Sequence, residues 1–489
     1  MDADSLVLQA EQKEDKAQSR LLRVGRPVAV LCALWAIELF CFYPGWRETG
    51  LYLDDWDYQW ELLVGPQNFF ASFQHLLKID PRFVNRPIEG LTYVATFQAF
   101  GQNACAHHVF NAILEVASAF LLYLCFLLLT RRPLVSLCSA AVFLLYPSHN
   151  STHYWVGTFC VTLSLLFYLG SLLCDIKGVW AANKWWHLGS AFLFTLMLLN
   201  YELFIPLGAL NVLVVFFLAK RKEPVKNALL RALNVALLLC LSVGVLFFYL
   251  KAIVPLIGEN YPHAVSFKPE VFFGTILEGL KLSFPYFAFQ YFNEQIAANL
   301  RGGLTSFEYA RLFGLGIVGA LILFVGARFN QDRKGESLEE SPRVNCQFLF
   351  FAGLMTVIAA YSIFGLNAEY FPTFRSLVNR INIGAAIGLS LILASGLLYL
   401  SEMVLKRTKK RALAEVSVIL VSFSLIVYFA LTNWALAVPY KLSWQLQSHI
   451  VRFLKSDAHR FQGAKSLLLI NCPRYVGEAP VFDGIWDFG

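Results

Sequence analysis

Charged side chains are scarce in this sequence. Asp, Glu, Lys and Arg make up 15% of its 489 residues, whereas 57% are hydrophobic. A water-soluble protein of this length cannot bury so much apolar surface. Apolar runs of about 18 residues or more, enough to cross a bilayer, recur along most of the chain. The composition therefore excludes a soluble globular protein and predicts an all-α polytopic membrane protein.

Several familiar motifs are also missing. The ten cysteines form no Cys-x-x-Cys pair and no zinc-finger spacing, and no His-Glu-x-x-His is present. No convincing internal repeat occurs, although many transporters are built from such repeats. Nothing in the charge pattern indicates a nucleic-acid partner. The functional signal must therefore come from the few polar residues beside the apolar runs.

The net charge of +7 is concentrated in basic clusters between apolar runs. The positive-inside rule places these clusters in the cytoplasm. Residues 1–26 are then a cytoplasmic tail, 27–438 the transmembrane domain and 439–489 a small extracytoplasmic segment. The alternation predicts eleven spans, at about 27–44, 107–129, 134–147, 155–174, 185–199, 203–219, 228–256, 306–327, 346–365, 380–402 and 413–437.

The predicted path leaves two long outer loops, 45–106 and 257–304. In the first, a proline near Arg86 and a glycine at 101 are typical of the start and end of a helix over about 91–100. It is short for a span, so we interpret it as an amphipathic helix at the outer interface. The aromatic-rich stretch 269–296 in the second loop looks similar. Two such loops could form a funnel for an amphiphilic lipid.

The most informative stretch is Tyr52-Leu53-Asp54-Asp55-Trp56-Asp57, a few residues after the first span. Membrane insertion does not require three carboxylates together. Their position suits an acid/base group that acts on one water-borne and one lipid-borne substrate. The alternative is that these residues only cap the start of a helix, and that is the simplest role for Asp57.

The order of motifs resembles the GT-C class of integral-membrane glycosyltransferases. Acids follow an exiting first span, Arg86-Pro87 opens a helix that ends at Phe100-Gly101, and His107-x-x-x-Asn111 starts the second span. Members include the protein O-mannosyltransferases and the aminoarabinose transferases. The resemblance implies transfer of a sugar from a polyprenyl- or dolichyl-phosphate carrier on the extracytoplasmic face.

Three further stretches look like the branch of that class that carries tetratricopeptide repeats: Phe143–Trp155, Leu199–Glu202 and Asn379–Gly384. This sequence departs from that branch in having Tyr201 in place of a lysine and no tetratricopeptide repeat. It also lacks the acid often found at 150–153. The acceptor is therefore left open among a glycan, a lipid and a protein.

The resemblance implies that an acid just after the first span is the catalytic base, which points to Asp55 or Asp54. A carboxylate can take the proton of an acceptor hydroxyl as that hydroxyl attacks the anomeric carbon. The carrier phosphate is already a good leaving group, so one carboxylate suffices. A single displacement of this kind inverts the anomeric centre, unlike the two-carboxylate scheme of retaining hydrolases.

The leaving phosphate calls for cations on the outer side, and guanidinium binds phosphate through two parallel bonds. Arg380, which begins the tenth predicted span, is the first candidate, followed by Arg86 and Arg375. His149 and Glu202 lie at the outer ends of neighbouring spans and are candidates for contact with the sugar.

No cofactor is required by this scheme, but a divalent metal such as Mg²⁺ or Mn²⁺ could bind. His149, His153 and Glu202, together with Asp54 or Asp55, offer imidazole and carboxylate donors. Glu38 and Glu115 lie within predicted spans, so each is expected to find a partner inside the helix bundle.

The predicted partners are a lipid-linked sugar donor, its acceptor and membrane lipids. The membrane is either a bacterial cytoplasmic membrane or the endoplasmic reticulum, with the active site facing the extracytoplasmic side. Two other functions remain open. One is a multi-pass transporter or flippase of lipid or glycan, and the other is a non-catalytic GT-C-like scaffold.

Overall fold

The computed structural model describes residues 27–258, 267–301, 303–331, 345–366, 370–375, 377–457, 459 and 472–482, with the backbone alone over 320–331. Helices dominate it, as the apolar composition predicts. Their bounds are α1 Pro27–Glu48, α2 Asp54–Val64, α3 Phe69–Ile79, α4 Pro81–Asn85, α5 Pro87–Phe100, α6 Ala104–Thr130, α7 Pro133–Leu145, α8 Ser151–Tyr154, α9 Phe159–Ala181, α10 Trp185–Asn200, α11 Gly208–Ala219, α12 Val225–Phe248, α13 Val254–Ile257, α14 Pro269–Ser283, α15 Pro285–Asn299, α16 Ser306–Gln331, α17 Cys346–Ser362, α18 Ile383–Thr408 and α19 Arg411–Ser456.

Eight helical stretches in the described ranges are long and apolar enough to cross a membrane. They match eight of the predicted spans, so the chain is a helical multi-pass membrane protein. The stretches are Pro27–Glu48, Ala104–Thr130, Val156–Ala181, Glu202–Ala219, Val225–Ile257, Cys346–Leu366, Leu377–Thr408 and Arg411–Ser456.

The other three predicted spans are also helical. The one at 306–327 lies in α16, which has 26 residues. Those at 134–147 and 185–199 correspond to α7 with 13 residues and α10 with 16 residues. At 1.5 Å per residue these two helices extend only about 20 and 24 Å, less than the roughly 30 Å of a hydrocarbon core. The count of eleven spans stays a prediction.

Proline sets the helix bounds in both long loops. The helix expected over 91–100 is α5, which has Pro87 in its first turn and ends at Gly101, whose φ of 56° an L side chain rarely adopts. The stretch 269–296 is helical as expected, but it forms two helices rather than one. Phe284, with a ψ of 128°, precedes Pro285 and separates α14 from α15, because proline disfavours helical backbone at the residue before it.

Small residues bring α17 and α18 into backbone contact. A Cβ atom at Gly353 would lie 2.6 Å from the carbonyl oxygen of Gly388, and one at Gly388 would lie 2.6 Å from that of Gly353. Only glycine at both positions allows this approach, which is the usual way for helices to pack closely in membranes.

The C-terminal part of the chain packs on α19, which continues for 46 residues. The boundary predicted between 438 and 439 lies inside this helix. Strands β1 (Tyr475–Val476) and β2 (Ala479–Pro480) form an antiparallel hairpin, and the Pro480 carbonyl accepts hydrogen bonds from Ser443 and Gln447 of α19. The apolar run Ser466-Leu-Leu-Leu-Ile-Asn471 predicts a buried strand, and it lies outside the described residues.

Candidate functional site

The acidic run forms the first turn of α2. Leu53, directly before it, has φ 49° and ψ −125°, a conformation that costs a residue with a side chain about 1–3 kcal/mol and often marks a functional site. From this turn Asp55 is buried, at 1% exposure, whereas the Asp54 side chain is 35% exposed. The fold therefore gives the two adjacent carboxylates different surroundings.

The two oxygens of Asp55 differ. Oδ2 accepts the Tyr52 backbone N–H at 3.0 Å, whereas the N-cap residue, Leu53, makes no side-chain capping bond. Oδ1 is buried and accepts no hydrogen bond of good geometry from the described residues. A Cβ at Gly157 would lie 3.0 Å from this Oδ1, 2.9 Å from the Tyr93 Oη and 3.2 Å from the Trp155 Nε1. Three polar atoms thus converge where glycine leaves room.

Burial changes the proton affinity of Asp55. Loss of solvation raises the pKa of this carboxyl well above its usual range. The Tyr52 N–H lowers it, the charge of Asp54 raises it again, and the nearby N–H groups of Gly157 and Trp155 lower it. A carboxylate with a raised pKa is a stronger base near neutral pH, provided that the pH is high enough to ionise it.

Asp54 lies in a network of ion pairs. Arg82 donates to Asp54 at 3.1 Å and also pairs with Asp80 at 2.7 Å. The Tyr58 hydroxyl donates to the same Asp80 carboxylate at 2.7 Å. Because its oxygen is already engaged by a guanidinium, Asp54 is less suited than Asp55 to accept a proton from a substrate.

Arg380 lies on a short 3₁₀ helix, Leu377–Asn382, directly before α18. Its guanidinium carbon is 4.8 Å from the centre of the Trp155 ring, and its Nη1 donates to the Leu377 carbonyl at 2.9 Å. Among the described residues no carboxylate lies within ion-pair distance of it. The Trp155 Nε1 donates to the Tyr52 carbonyl at 3.1 Å, so one indole contacts both the Arg380 guanidinium and the turn that carries Asp55.

Two asparagines hold this short helix against the segment before Trp155. Asn379 Oδ1 accepts the Ser151 N–H at 3.1 Å, and Asn382 Nδ2 donates to the Ser148 carbonyl at 2.8 Å. Sequence reasoning gave these asparagines no role. Their signal was the appearance of two amides at the edge of an otherwise apolar span.

Two of the candidate residues, Arg86 and Glu202, form an ion pair with each other. Two guanidinium nitrogens donate to the two Glu202 oxygens at 3.0 and 2.7 Å, and the Tyr201 ring lies 4.2 Å from the guanidinium. Glu89 lies 3.8 Å away. This bidentate pair occupies the side of the guanidinium that a phosphate would use.

The remaining candidates lie apart. Arg375 is exposed. His149 is buried, with its Nδ1 3.2 Å from the Thr152 Oγ1. The His149 and His153 rings lie 5.9 Å apart, but the expected set of metal ligands does not assemble, because Glu202 pairs with Arg86.

His153 lies instead with the two glutamates of the spans. Its Nδ1 is 2.5 Å from Glu115 Oε2 and 3.5 Å from Glu38 Oε1, so the expectation that each glutamate has a partner inside the bundle is confirmed. These three side chains form the one group within the described ranges that is close enough to hold a metal ion. Sequence reasoning missed the cluster, since its members are far apart in the chain.

Comparison with known proteins adds no relative. No family model matches this sequence, and no curated protein matches it. The chemistry of the site therefore has to be argued from its own geometry.

Proposed function

We propose that this protein is a membrane glycosyltransferase that moves a sugar from a polyprenyl- or dolichyl-phosphate donor to an acceptor hydroxyl. The observation that carries the proposal is the arrangement around Trp155. A buried carboxylate with one unpartnered oxygen, Asp55, and a guanidinium without a carboxylate partner among the described residues, Arg380, lie near the same indole. This reaction needs two groups, a general base and a cation that binds the phosphate.

Asp55 is the base in this proposal. The acceptor hydroxyl approaches Oδ1 beside Gly157, and Tyr93 Oη offers a hydrogen bond that orients it. As its oxygen forms a bond to the anomeric carbon, its proton passes to Oδ1. The bond between the anomeric carbon and the carrier oxygen breaks, and its electron pair leaves with the phosphate. One displacement inverts the anomeric centre.

Arg380 is the cation for the leaving phosphate. One of its N–H groups is used by the Leu377 carbonyl, which leaves others for two parallel bonds to phosphate oxygens. The indole of Trp155 supports the guanidinium plane. Since Arg380 immediately precedes the spanning helix α18, a phosphate bound there would keep its prenyl chain beside the hydrocarbon region.

The test is transfer in proteoliposomes that contain the purified full-length chain, with the donor identified by mass spectrometry of copurifying lipids. Asp55→Asn should abolish transfer while the donor still binds. Asp57→Asn, in the same run, is the matched control and should keep it. Full transfer by the folded Asp55→Asn variant would refute the base assignment.

A transporter or flippase is the second candidate, because Glu38 and Glu115 lie well inside spanning helices, where carriers keep the carboxylates of their proton relays. In the same proteoliposomes, movement of the prenyl-phosphate lipid across the bilayer without a new glycosidic bond would favour this function. Formation of that bond favours the transferase.

A further inference from the structure

Glu38, Glu115 and His153 form a cluster apart from the proposed transfer site. They come from three elements, α1, α6 and α8, and are 0%, 4% and 3% exposed. Their donor atoms all lie within 4.8 Å of one another. The Phe42 ring stacks on His153 with 3.7 Å between ring centres and closes one face of the imidazole.

With both glutamates ionised, the charges of this cluster do not balance. Two carboxylates and a protonated imidazole would leave one negative charge inside the bundle, which is costly without further compensation. Apart from the His153 imidazole, neither glutamate has a hydrogen-bond donor among the described residues, although buried carboxylates in proteins are nearly always fully hydrogen-bonded or bound to a metal. A divalent cation with a neutral imidazole and two carboxylates gives zero net charge.

We propose that Glu38, Glu115 and His153 bind one divalent transition metal, with Zn²⁺ and Mn²⁺ as the two ions that best suit the donors. One imidazole nitrogen and two carboxylate oxygens are suitable ligands for both. Typical metal–ligand distances of about 2.0–2.2 Å place tetrahedral donors roughly 3.4 Å apart. Small rotations of the two carboxylates, within their present spacing, would reach that geometry.

The metal would hold the chain in place rather than take part in transfer. His153 lies on the segment between α7 and α9 and is followed two residues later by Trp155. A metal shared with Glu38 of α1 and Glu115 of α6 would fix this segment to both helices, and so fix the indole. Since binding is measured without transfer, this inference stands or falls independently of the proposed function.

The first test measures metal in the full-length protein, purified without chelator and without a histidine tag. Elemental analysis should find about one Zn²⁺ or Mn²⁺ per chain. Glu115→Gln and His153→Gln should lower the metal content about tenfold or more. The matched controls are Glu61→Gln and His75→Gln, which alter a more exposed His–Glu pair at 3.2 Å and should leave the content unchanged.

The second test needs no variant, so it measures metal binding even if the variants misfold. Wild-type protein stripped with a chelator is titrated with Zn²⁺ or Mn²⁺ alone. Saturable binding should raise the unfolding temperature, and the electron paramagnetic resonance of bound Mn²⁺ should show coupling to one imidazole nitrogen. Saturable binding of neither ion, or binding by folded Glu115→Gln equal to that of the wild type, would overturn the proposal.

Discussion

Asp55 and Asp175 are both aspartates with 1% exposure, yet their surroundings are opposite. Asp175 accepts hydrogen bonds from Ser190 Oγ at 2.7 Å and Asn211 Nδ2 at 2.8 Å, and His187 Nδ1 lies 2.8 Å from its other oxygen. Within the described part of the chain, Asp55 Oδ2 accepts one backbone N–H and Oδ1 accepts no hydrogen bond of good geometry. Asp55 lies beside Gly157, just before the start of α9. Asp175 is roughly 24 Å further along this helix.

The difference in hydrogen bonding distinguishes an aspartate that stabilises the fold from an aspartate that is a candidate for function. Asp175 joins α9 to α10 and α11 through side chains of all three helices, and its burial is compensated by those bonds. Among the described residues, the buried Oδ1 of Asp55 accepts no hydrogen bond of good geometry, and the strained Leu53 lies two residues before it. Proteins keep such unfavourable features where a substrate completes them.

The largest expected effect is on the transfer rate, and it distinguishes Asp55 from Asp175. Asp55→Asn should lower transfer by about 10²–10⁴-fold, the usual contribution of a general base, because an amide cannot take the hydroxyl proton. Stability should not fall, since no satisfied ion pair is lost. Rates in proteoliposomes and thermal unfolding in detergent measure both quantities. A folded Asp55→Asn variant with near wild-type rate would remove the contrast with Asp175.

The second-largest expected effect follows from removal of the Arg380 guanidinium beside Trp155. Arg380→Gln should lower kcat/KM for the lipid donor by about 10- to 100-fold, because a hydrogen bond to a charged group contributes roughly 1.5–3 kcal/mol. Arg380→Lys should recover only part of this, since lysine cannot form two parallel bonds. Arg301→Gln, which changes an exposed arginine, is the control. Equal rates for the Arg380 and Arg301 variants would contradict the assignment.

A change at Asp175 should have the opposite result, a loss of stability without a loss of transfer activity. Asp175→Asn should lower the free energy of unfolding by about 1–3 kcal/mol, because the amide nitrogen would meet the donors of Ser190 or Asn211. Transfer per folded molecule should stay at the wild-type level. Thermal unfolding together with rates normalised to folded protein measures this, and a variant that is stable but inactive would show that Asp175 is not merely structural.

The smallest expected effect concerns pH. Asp55 must be ionised to act, so the transfer rate should rise with pH through its pKa. Burial is the main cause that raises this pKa, and the Asp54 charge adds to it. Asp54→Asn removes that charge, and should therefore move the acidic limb of the pH–rate profile to lower pH. A limb that stays in place or moves to higher pH would exclude Asp55 as the titrating group.

Local rules accounted for the elements of the fold. Hydropathy over 18 residues predicted the spanning helices, and Pro87 with Gly101 predicted the bounds of α5. The break at Phe284-Pro285 was not predicted, because 269–296 was treated as one stretch, although proline at 285 disfavours helix at 284. For the site, the sequence drew attention to Asp54, Asp55 and Arg380, but it could not separate the first two.

The sequence by itself determined that this is a helical membrane protein with carboxylates and an arginine at the edges of its spans, because hydropathy, proline and charge act within a few residues. Only the tertiary structure decided the partners. It pairs Arg86 with Glu202 and His153 with Glu38 and Glu115, and it buries Asp55 while leaving Asp54 half-exposed. These partners lie between 38 and 116 residues apart in the chain, so their pairing depends on the packing of distant segments, which no local pattern encodes.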